Sequence, residues 1–409
     1  MDDKQSLRAI QGIIKTFPFV KELWPIQNKC PTLYDIARIS MRTPILSILL
    51  IGPQTSSNSL GGCTVSFDGL VKCLSAEATV NLRVIDSNLS RLTGLFRRTL
   101  GALALVARII TYLPRCDVAG LHTTHASLPL SSAVLLCLCR FFGRPLIVRK
   151  FGGLNHKESL ARDGKIKESH ERLICWILKK VDVYLVESLA ALREAEEDGI
   201  ECAAWFPNSR AMPKAKCDQE LLTDCTRFVF LGHVKESKGI CVLMDAARHL
   251  PQGISIDIYG PLFENIDKGL FQRCASISYQ RVMRPENVIS VLKQYDAMVM
   301  PTLYRSEGYP GSILESYVAE LPVIASRIGR IPEIVDETCG ILVGPGDAHE
   351  LSRAMMKLAT NKELYRRLKN GVLRKRLQFN SAYWAKMYLQ HCRRLAEVKH
   401  QLDDKKMLL

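Results

Sequence analysis

At 409 residues the chain is long enough for two domains with separate cores, and its 47% hydrophobic and 24% charged residues exclude a disordered or fibrous protein. The formal net charge is +15, with 15 basic against 4 acidic residues in 351–409, which favours anionic partners such as diphosphates or an anionic membrane face. No recognition motif or interleaving of aromatic and basic residues accompanies that charge, so nucleic acid is not expected.

The opening MDDKQSLRAIQ lacks the basic-then-apolar order of a signal peptide, and residues 1–43 read as an extension before the first core strand. That strand, over 45–51, is nearly all apolar and is closed by Gly52-Pro53. A loop ending in Leu60-Gly61-Gly62 then leads to a helix through 65–74. Parallel α/β sheets approach phosphates or substrates with such a strand, glycine loop and helix. The loop is not G-x-G-x-x-G, so a dinucleotide site is not expected. Strands over 79–86, 117–122, 145–150 and 182–186 alternate with helices over 91–113, 131–142, 167–180 and 189–198. This alternation predicts a parallel sheet covered on both faces. Ligands of such sheets gather at the carboxyl ends of strands. His122, His125, Lys150 and the loop Gly152-Gly153-Leu154-Asn155-His156 fall there and are acceptor-side candidates. The stretch 118–139 is uncharged but interrupted by His122, His125 and Pro129, so it reads as strand, loop and buried helix, not a membrane span. Around the apolar run 100–106 stand Arg91, Arg97, Arg98, Arg108 and Arg115, a basic cluster suited to peripheral membrane contact. Fourteen cysteines include no C-x2-C pair, which fits reduced residues of a cytoplasmic protein. Residues 211–223 are polar, hold Pro213 and lack periodicity, as a linker does.

A second series opens with a strand at 227–234, a loop holding Lys238-Gly239 and a helix over 241–250. Lys238 offers the point charge that a diphosphate needs. A strand over 254–260, a helix over 285–295 and a strand end at 297–300 lead into residues 301–347. There Glu307 lies in the loop Arg305-Ser306-Glu307-Gly308-Tyr309-Pro310-Gly311, and Glu315 follows with seven residues between, in a helix over 312–319. Backbone N–H groups and the positive end of a helix dipole suit a phosphate, while carboxylates accept hydrogen bonds from sugar hydroxyls. Ser312-x-x-Glu315 also spells a capping box, in which Glu315 would serve only its own helix.

This stretch resembles the donor-site signature of family 4 of the retaining glycosyltransferases, which have the two-domain GT-B fold. The family's E-x7-E pair matches Glu307 and Glu315, and its proline-glutamate-isoleucine-valine segment matches Pro332-Glu333-Ile334-Val335. Gly61 and Gly62 match a Gly-Gly loop at the cleft, Pro207-Asn208 the end of the first domain, and Lys238 a phosphate-binding lysine. The resemblance implies an α/β chain with two Rossmann-like parallel-sheet domains facing across a cleft. The acceptor-side domain would span 44–222 and the nucleotide-sugar domain 223–378, with a helix and tail over 379–409 crossing back to the first. It implies sugar transfer from a nucleoside-diphosphate sugar to a saccharide acceptor, with retention, by front-face displacement. Glu307 and Lys238 would be catalytic, and Glu315, Gly308, Tyr309, Pro310, Gly311, Ser312, His233, Gly61 and Gly62 would hold the donor. No cofactor or metal is expected, since no D-x-D lies in a suitable loop. The expected acceptor is a lipid-linked saccharide of polysaccharide or cell-surface glycan assembly, met at the cytoplasmic membrane face. Four departures stand out: His233 for the usual arginine, Phe151 for histidine, Glu320 for glycine, and Gly329-Arg330 for Gly-Gly. They leave open another GT-B enzyme, an epimerase or phosphorylase, or a catalytically silent scaffold.

Overall fold

The computed structural model describes residues 45–55, 61–88, 95–124, 127–152, 168–213, 225–263 and 266–407. The extension 1–43, His125, Gly153, His156 and most of the linker 211–223 lie outside the described residues.

The first sheet contains β1 (Leu46–Gly52), β2 (Val80–Asp86), β3 (Val118–Thr124), β4 (Leu146–Phe151), β5 (Val183–Val186) and β6 (Ala203–Trp205). All are parallel, in the order β2-β1-β3-β4-β5-β6. Central strands are apolar almost throughout because both faces are covered. Successive side chains alternate between those faces. Ile48 and Leu50 meet α1 (Gly62–Ser75). Leu49 and Ile51 share a core with α2 (Leu95–Tyr112), α3 (Leu128–Phe141), α4 (Glu168–Lys180) and α5 (Leu189–Glu197). The chain steps from β1 out to β2, then returns past β1 to β3 and onward. Right-handed crossovers therefore put α1 on one face and α2 to α5 on the other.

The second sheet contains β7 (Arg227–Leu231), β8 (Ser255–Tyr259), β9 (Ile277–Tyr279), β10 (Ala297–Met300), β11 (Val323–Ser326) and β12 (Gly340–Val343). It too is parallel, ordered β12-β11-β10-β7-β8-β9. One face packs α6 (Ile240–Ala247) against Phe228 and Phe230. The other packs α7 (Val288–Leu292), α8 (Gly311–Val318) and α9 (Ile331–Ile334) against Val229, Met298 and Met300. The helix expected over 285–295 is shorter than its pattern. Pro285 opens a 3₁₀ turn, and the helix stops before Tyr295, whose hydroxyl donates to Asp257 at 2.6 Å.

After α10 (Ala348–Thr360) and α11 (Lys362–Lys375), the last helix α12 (Ser381–Met407) leaves the second sheet and packs on α1. Trp384, Tyr388, Leu389 and Cys392 complete the core that Ile48, Leu50 and Phe67 begin. Gly120 of β3 makes room for it, since a Cβ there would strike the Tyr388 hydroxyl. Outgoing and returning chains meet where Arg210 N–H donates to the Phe379 carbonyl and Ser381 N–H to the Arg210 carbonyl, both at 2.9 Å. No helix among the described residues is long and apolar enough to cross a membrane.

His122 lies inside this core, 1% exposed, with ring centroids of Phe67 and Tyr388 at 5.1 and 5.6 Å and no hydrogen-bond partner on either nitrogen. Burial, helped by the charge of Arg149, holds its pKa well below 6.5. The unfolded chain therefore takes up this proton first. The full stability is present above pH 6.5 and falls as pH drops below it, by up to about 1.4 kcal/mol per pH unit. Urea melts of wild type and His122→Leu across that window test this. His122→Leu should flatten the dependence, leaving the smaller contributions of His233 and His391, which shift the same way. An unchanged slope would refute it.

Candidate active site between the two sheets

The loop after β7 and the loop after β10 are stitched together. Leu303 N–H donates to the Ser237 carbonyl at 2.9 Å. Gly239 turns into α6 at φ +78°, where a Cβ would collide with the Pro301 carbonyl, so the turn needs glycine. This seats Lys238 against Glu307, whose Oε1 accepts from the Lys238 ammonium and, at 3.1 Å, from the Thr302 hydroxyl. The Glu307 backbone is held as well, its carbonyl accepting from Arg330 N–H at 2.9 Å. Glu307 is buried and Lys238 partly so. An ammonium has three donors, so the pair with Glu307 leaves others for an anion. His233 is half-buried beside this pair, 4.7 Å from the Phe263 ring. Burial, with the neighbouring Lys235 and Lys238, lowers its pKa below 6.5, so it is neutral at pH 7.

Glu315 sits in α8, which starts at Gly311 with Pro310 as N-cap and no side-chain cap. The capping box is not formed: the Ser312 hydroxyl faces the Met300 sulfur at 3.7 Å. The carboxylate turns instead toward Arg210, whose Nε donates to Oε1 at 3.0 Å. Arg210 is 8% exposed and its Nη1 also donates to Ser66 of α1 at 3.0 Å, so one guanidinium joins both sheets. Gly311 and Gly62 face each other here. A Cβ on Gly311 would hit the Arg210 guanidinium, and a Cβ on Gly62 would stand 3.9 Å from Gly311 N. The first turn of α8 and the start of α1 thus converge on one place with Arg210.

Glu187, at the end of β5, was not singled out in the sequence. It is fully buried, with Oε2 accepting from Gly152 N–H at 2.9 Å and Oε1 from Tyr309 N–H. Burial raises its pKa, opposed by those two donors and by Arg149 and Lys150. Arg149 is itself buried between Phe151 and Phe206, 4.5 Å from each ring, and donates to the Pro207 carbonyl and Asn208 Oδ1. Burial pushes it down to about 10, leaving it charged. Asn208 in turn donates to the Tyr309 carbonyl at 3.1 Å. Both backbone groups of Tyr309 are therefore held from the first sheet, and its hydroxyl donates to Glu333 at 2.7 Å. Glu333 crosses the other way, accepting from Leu189 and Ala190 N–H at 2.8 and 3.2 Å, an anion at the positive end of α5.

Two departures from the expected pattern find physical roles. Arg330 donates to Glu194 of α5 at 2.7 Å, a further tie between the halves. Glu320 takes φ +67°, a left-handed backbone that costs a non-glycine residue roughly 1–2 kcal/mol. Its buried carboxylate accepts from Arg376 at 2.7 Å, which offsets that strain.

Lys238, Glu307, Glu315 and Gly308 to Ser312 lie on adjoining loops and helix starts, with Gly62 opposite. His122 requires correction as an acceptor-side candidate, because it is sealed in the core and offers no surface. Lys150 is likewise buried, beside Glu187. Gly152, at φ +102°, does reach the site through its N–H to Glu187. Gly61 caps α1, its N–H donating to the Thr64 hydroxyl at 3.2 Å.

Residues 225–361 match the family model described as "Glycosyl transferases group 1". An uncharacterised glycosyltransferase of Methanocaldococcus jannaschii is 27% identical over 148 residues, 35% of this chain and 41% of that protein. The O-antigen chain mannosyltransferase C of Escherichia coli is 27% identical over 139 residues, 33% of this chain and 38% of that one. The chain thus spans about two fifths of the length of these curated relatives. Among solved structures, sucrose-phosphate synthase from Thermosynechococcus elongatus superposes with a TM-score of 0.67 at 20% identity, over 86% of this chain and 100% of that one. Anabaena HepE in complex with UDP gives 0.65 at 14% identity, over 84% and 99%. Two parallel-sheet, Rossmann-like halves in the GT-B arrangement therefore form the chain, and residues 225–361 are a domain similar to the group 1 glycosyl transferases.

Proposed function

We propose that the protein transfers a sugar from a nucleoside-diphosphate sugar to a saccharide acceptor, with retention at the anomeric carbon. One observation carries this reading: Lys238 meets Glu307 in the loop that runs into α8, and the start of α8 faces Gly62 of the first half. A cation and a helix N-terminus reached from one loop can both stabilise charge developing on a departing diphosphate. In this reading Glu307 orients the transferred ring and Glu315 accepts from ribose hydroxyls, its Oε1 taken by Arg210. The matched E. coli mannosyltransferase of O-antigen chains and the UDP bound to HepE support a nucleotide-sugar donor and a glycan acceptor. A lipid-linked saccharide is the acceptor we favour.

The test is a thermal-shift screen with UDP, GDP, ADP and their sugars on wild type, Glu315→Ala and the milder Glu315→Gln. One nucleotide at a hundredfold over its dissociation constant should stabilise wild type by about 2.7 kcal/mol. Each variant is compared with and without ligand, so the cost of leaving Arg210 without its carboxylate cancels. Stabilisation that Glu315→Ala loses supports the reading. No response to any nucleotide would favour a silent scaffold. The transfer is read as needing no metal, with Lys238 and the α8 N–H groups carrying the diphosphate charge. Chelation with EDTA should then leave the rate unchanged, whereas a loss restored by a divalent cation would overturn this part.

A further inference from the structure

Among the described residues, large apolar side chains left at the surface concentrate on α2, α3 and α4, which cover the same face of the first sheet. Each helix already buries one stripe in the core beneath: Ile109 from α2, Leu135 from α3 and Ile177 from α4. Each presents further apolar side chains to solvent. On α2 these are Phe96, Leu100 and Leu103, at the i, i+4, i+7 spacing of one helix face; Leu130 and Phe141 follow on α3 and Trp176 on α4. Phe96, Leu103, Leu130 and Phe141 are 68–82% exposed. Single exposed apolar residues are ordinary, but a set spread over three adjacent helices points to a partner.

Charge selects which partner. Neither LFRRTLGALALVARIITY of α2 nor LPLSSAVLLCLCRF of α3 holds an acidic residue, and α4 ends in Lys179 and Lys180. Arg97 and Arg108 lie about a quarter to a third of a turn from the Phe96 line. From there long cationic side chains reach headgroup level while the apolar stripe enters the acyl boundary. The acidic residues of α4, Glu168 and Glu171, stand near its start, away from Lys179 and Lys180, and the three helices together remain basic. A basic-edged apolar face with exposed phenylalanine and tryptophan complements an anionic lipid surface.

We propose that the α2–α3–α4 face docks on an anionic lipid bilayer. The proposal deepens the transferase reading only in its purpose, which is to hold the cleft beside a lipid-linked acceptor. The experiment is co-sedimentation of the full chain with vesicles of phosphatidylcholine alone or mixed with phosphatidylglycerol. Binding to mixed vesicles at low salt, weakened by added salt and slight for neutral vesicles, is expected. Leu100→Asp with Leu103→Asp, and separately Arg97→Glu with Arg108→Glu, should each weaken it about tenfold or more. The thermal shift with nucleotide should be the same in these variants as in wild type, which shows that they are folded. Wild type that stays in the supernatant with anionic vesicles overturns the proposal, as does binding that neither pair diminishes. So does a wild-type dimer that the substitutions dissociate, since a second copy would then cover the face. Vesicle binding in a protein that responds to no nucleotide supports the docking surface while removing the donor reading.

Discussion

Lys238→Ala is expected to lower kcat/KM for transfer on the order of 10²–10³-fold, with the donor that the nucleotide screen identifies. Lys238 is the cation seated beside Glu307, and His233 nearby is neutral at pH 7, so no protonated histidine there takes over its charge. The substitution also leaves the buried Glu307 carboxylate with only the Thr302 hydroxyl among its observed side-chain donors, at a stability cost of about 3 kcal/mol. Lys238→Ala with Glu307→Gln separates the two effects. Because Glu307 itself orients the sugar, Glu307→Gln alone is the control: the double variant should regain most of the denaturation midpoint and still be far slower than that single variant. If activity returned with stability, Lys238 would be a structural partner of Glu307 and the charge assignment would fail.

The largest effect on folding is expected at Glu187. Glu187→Ala removes the acceptor for an N–H in each half, part-buried at Gly152 and buried at Tyr309, and the negative charge that most favours the buried Arg149 cation. Losing one side of such a buried network costs about 3–5 kcal/mol. Glu187→Gln should cost less, because the amide oxygen can still accept from one of the two donors. Guanidinium titration reads both. A Glu187→Ala midpoint within the error of wild type would show that neither N–H depends on it.

Much of the architecture was legible because it is local. Apolar runs of strand length, alternating with helical patterns, announce parallel sheets without any knowledge of contacts. Lys238-Gly239 and Glu307 were readable too, since each sits where a strand gives way to a loop, and the fold brings such loops together. What could not be read is pairing between distant side chains. Arg210 was not singled out, yet it contacts Glu315 and Ser66, 105 and 144 positions away. Nothing in its neighbourhood marks it, because the partners are set by how the two halves meet. Glu187 and Arg149 were hidden for the same reason, and His122 misled because a strand's carboxyl end can be core as well as rim. The capping box, left open as the alternative role of Glu315, has the correct spacing, but Pro310 is the N-cap and the carboxylate turns to Arg210. Glu320 was flagged as unusual for glycine's place, and its left-handed backbone shows why glycine is common there.

The placement of α12 has a consequence for the order in which the chain leaves the ribosome. Trp384, Tyr388, Leu389 and Cys392 belong to the core begun by Ile48 and Leu50, more than 300 residues earlier. During synthesis the first sheet must wait, with Phe67 and its neighbours uncovered on that face, until α12 has been made. The second half can meanwhile close its own core around Phe228 and Ile256. Maturation therefore runs against sequence order, and a premature stop before α12 would release a chain whose first sheet has never been finished.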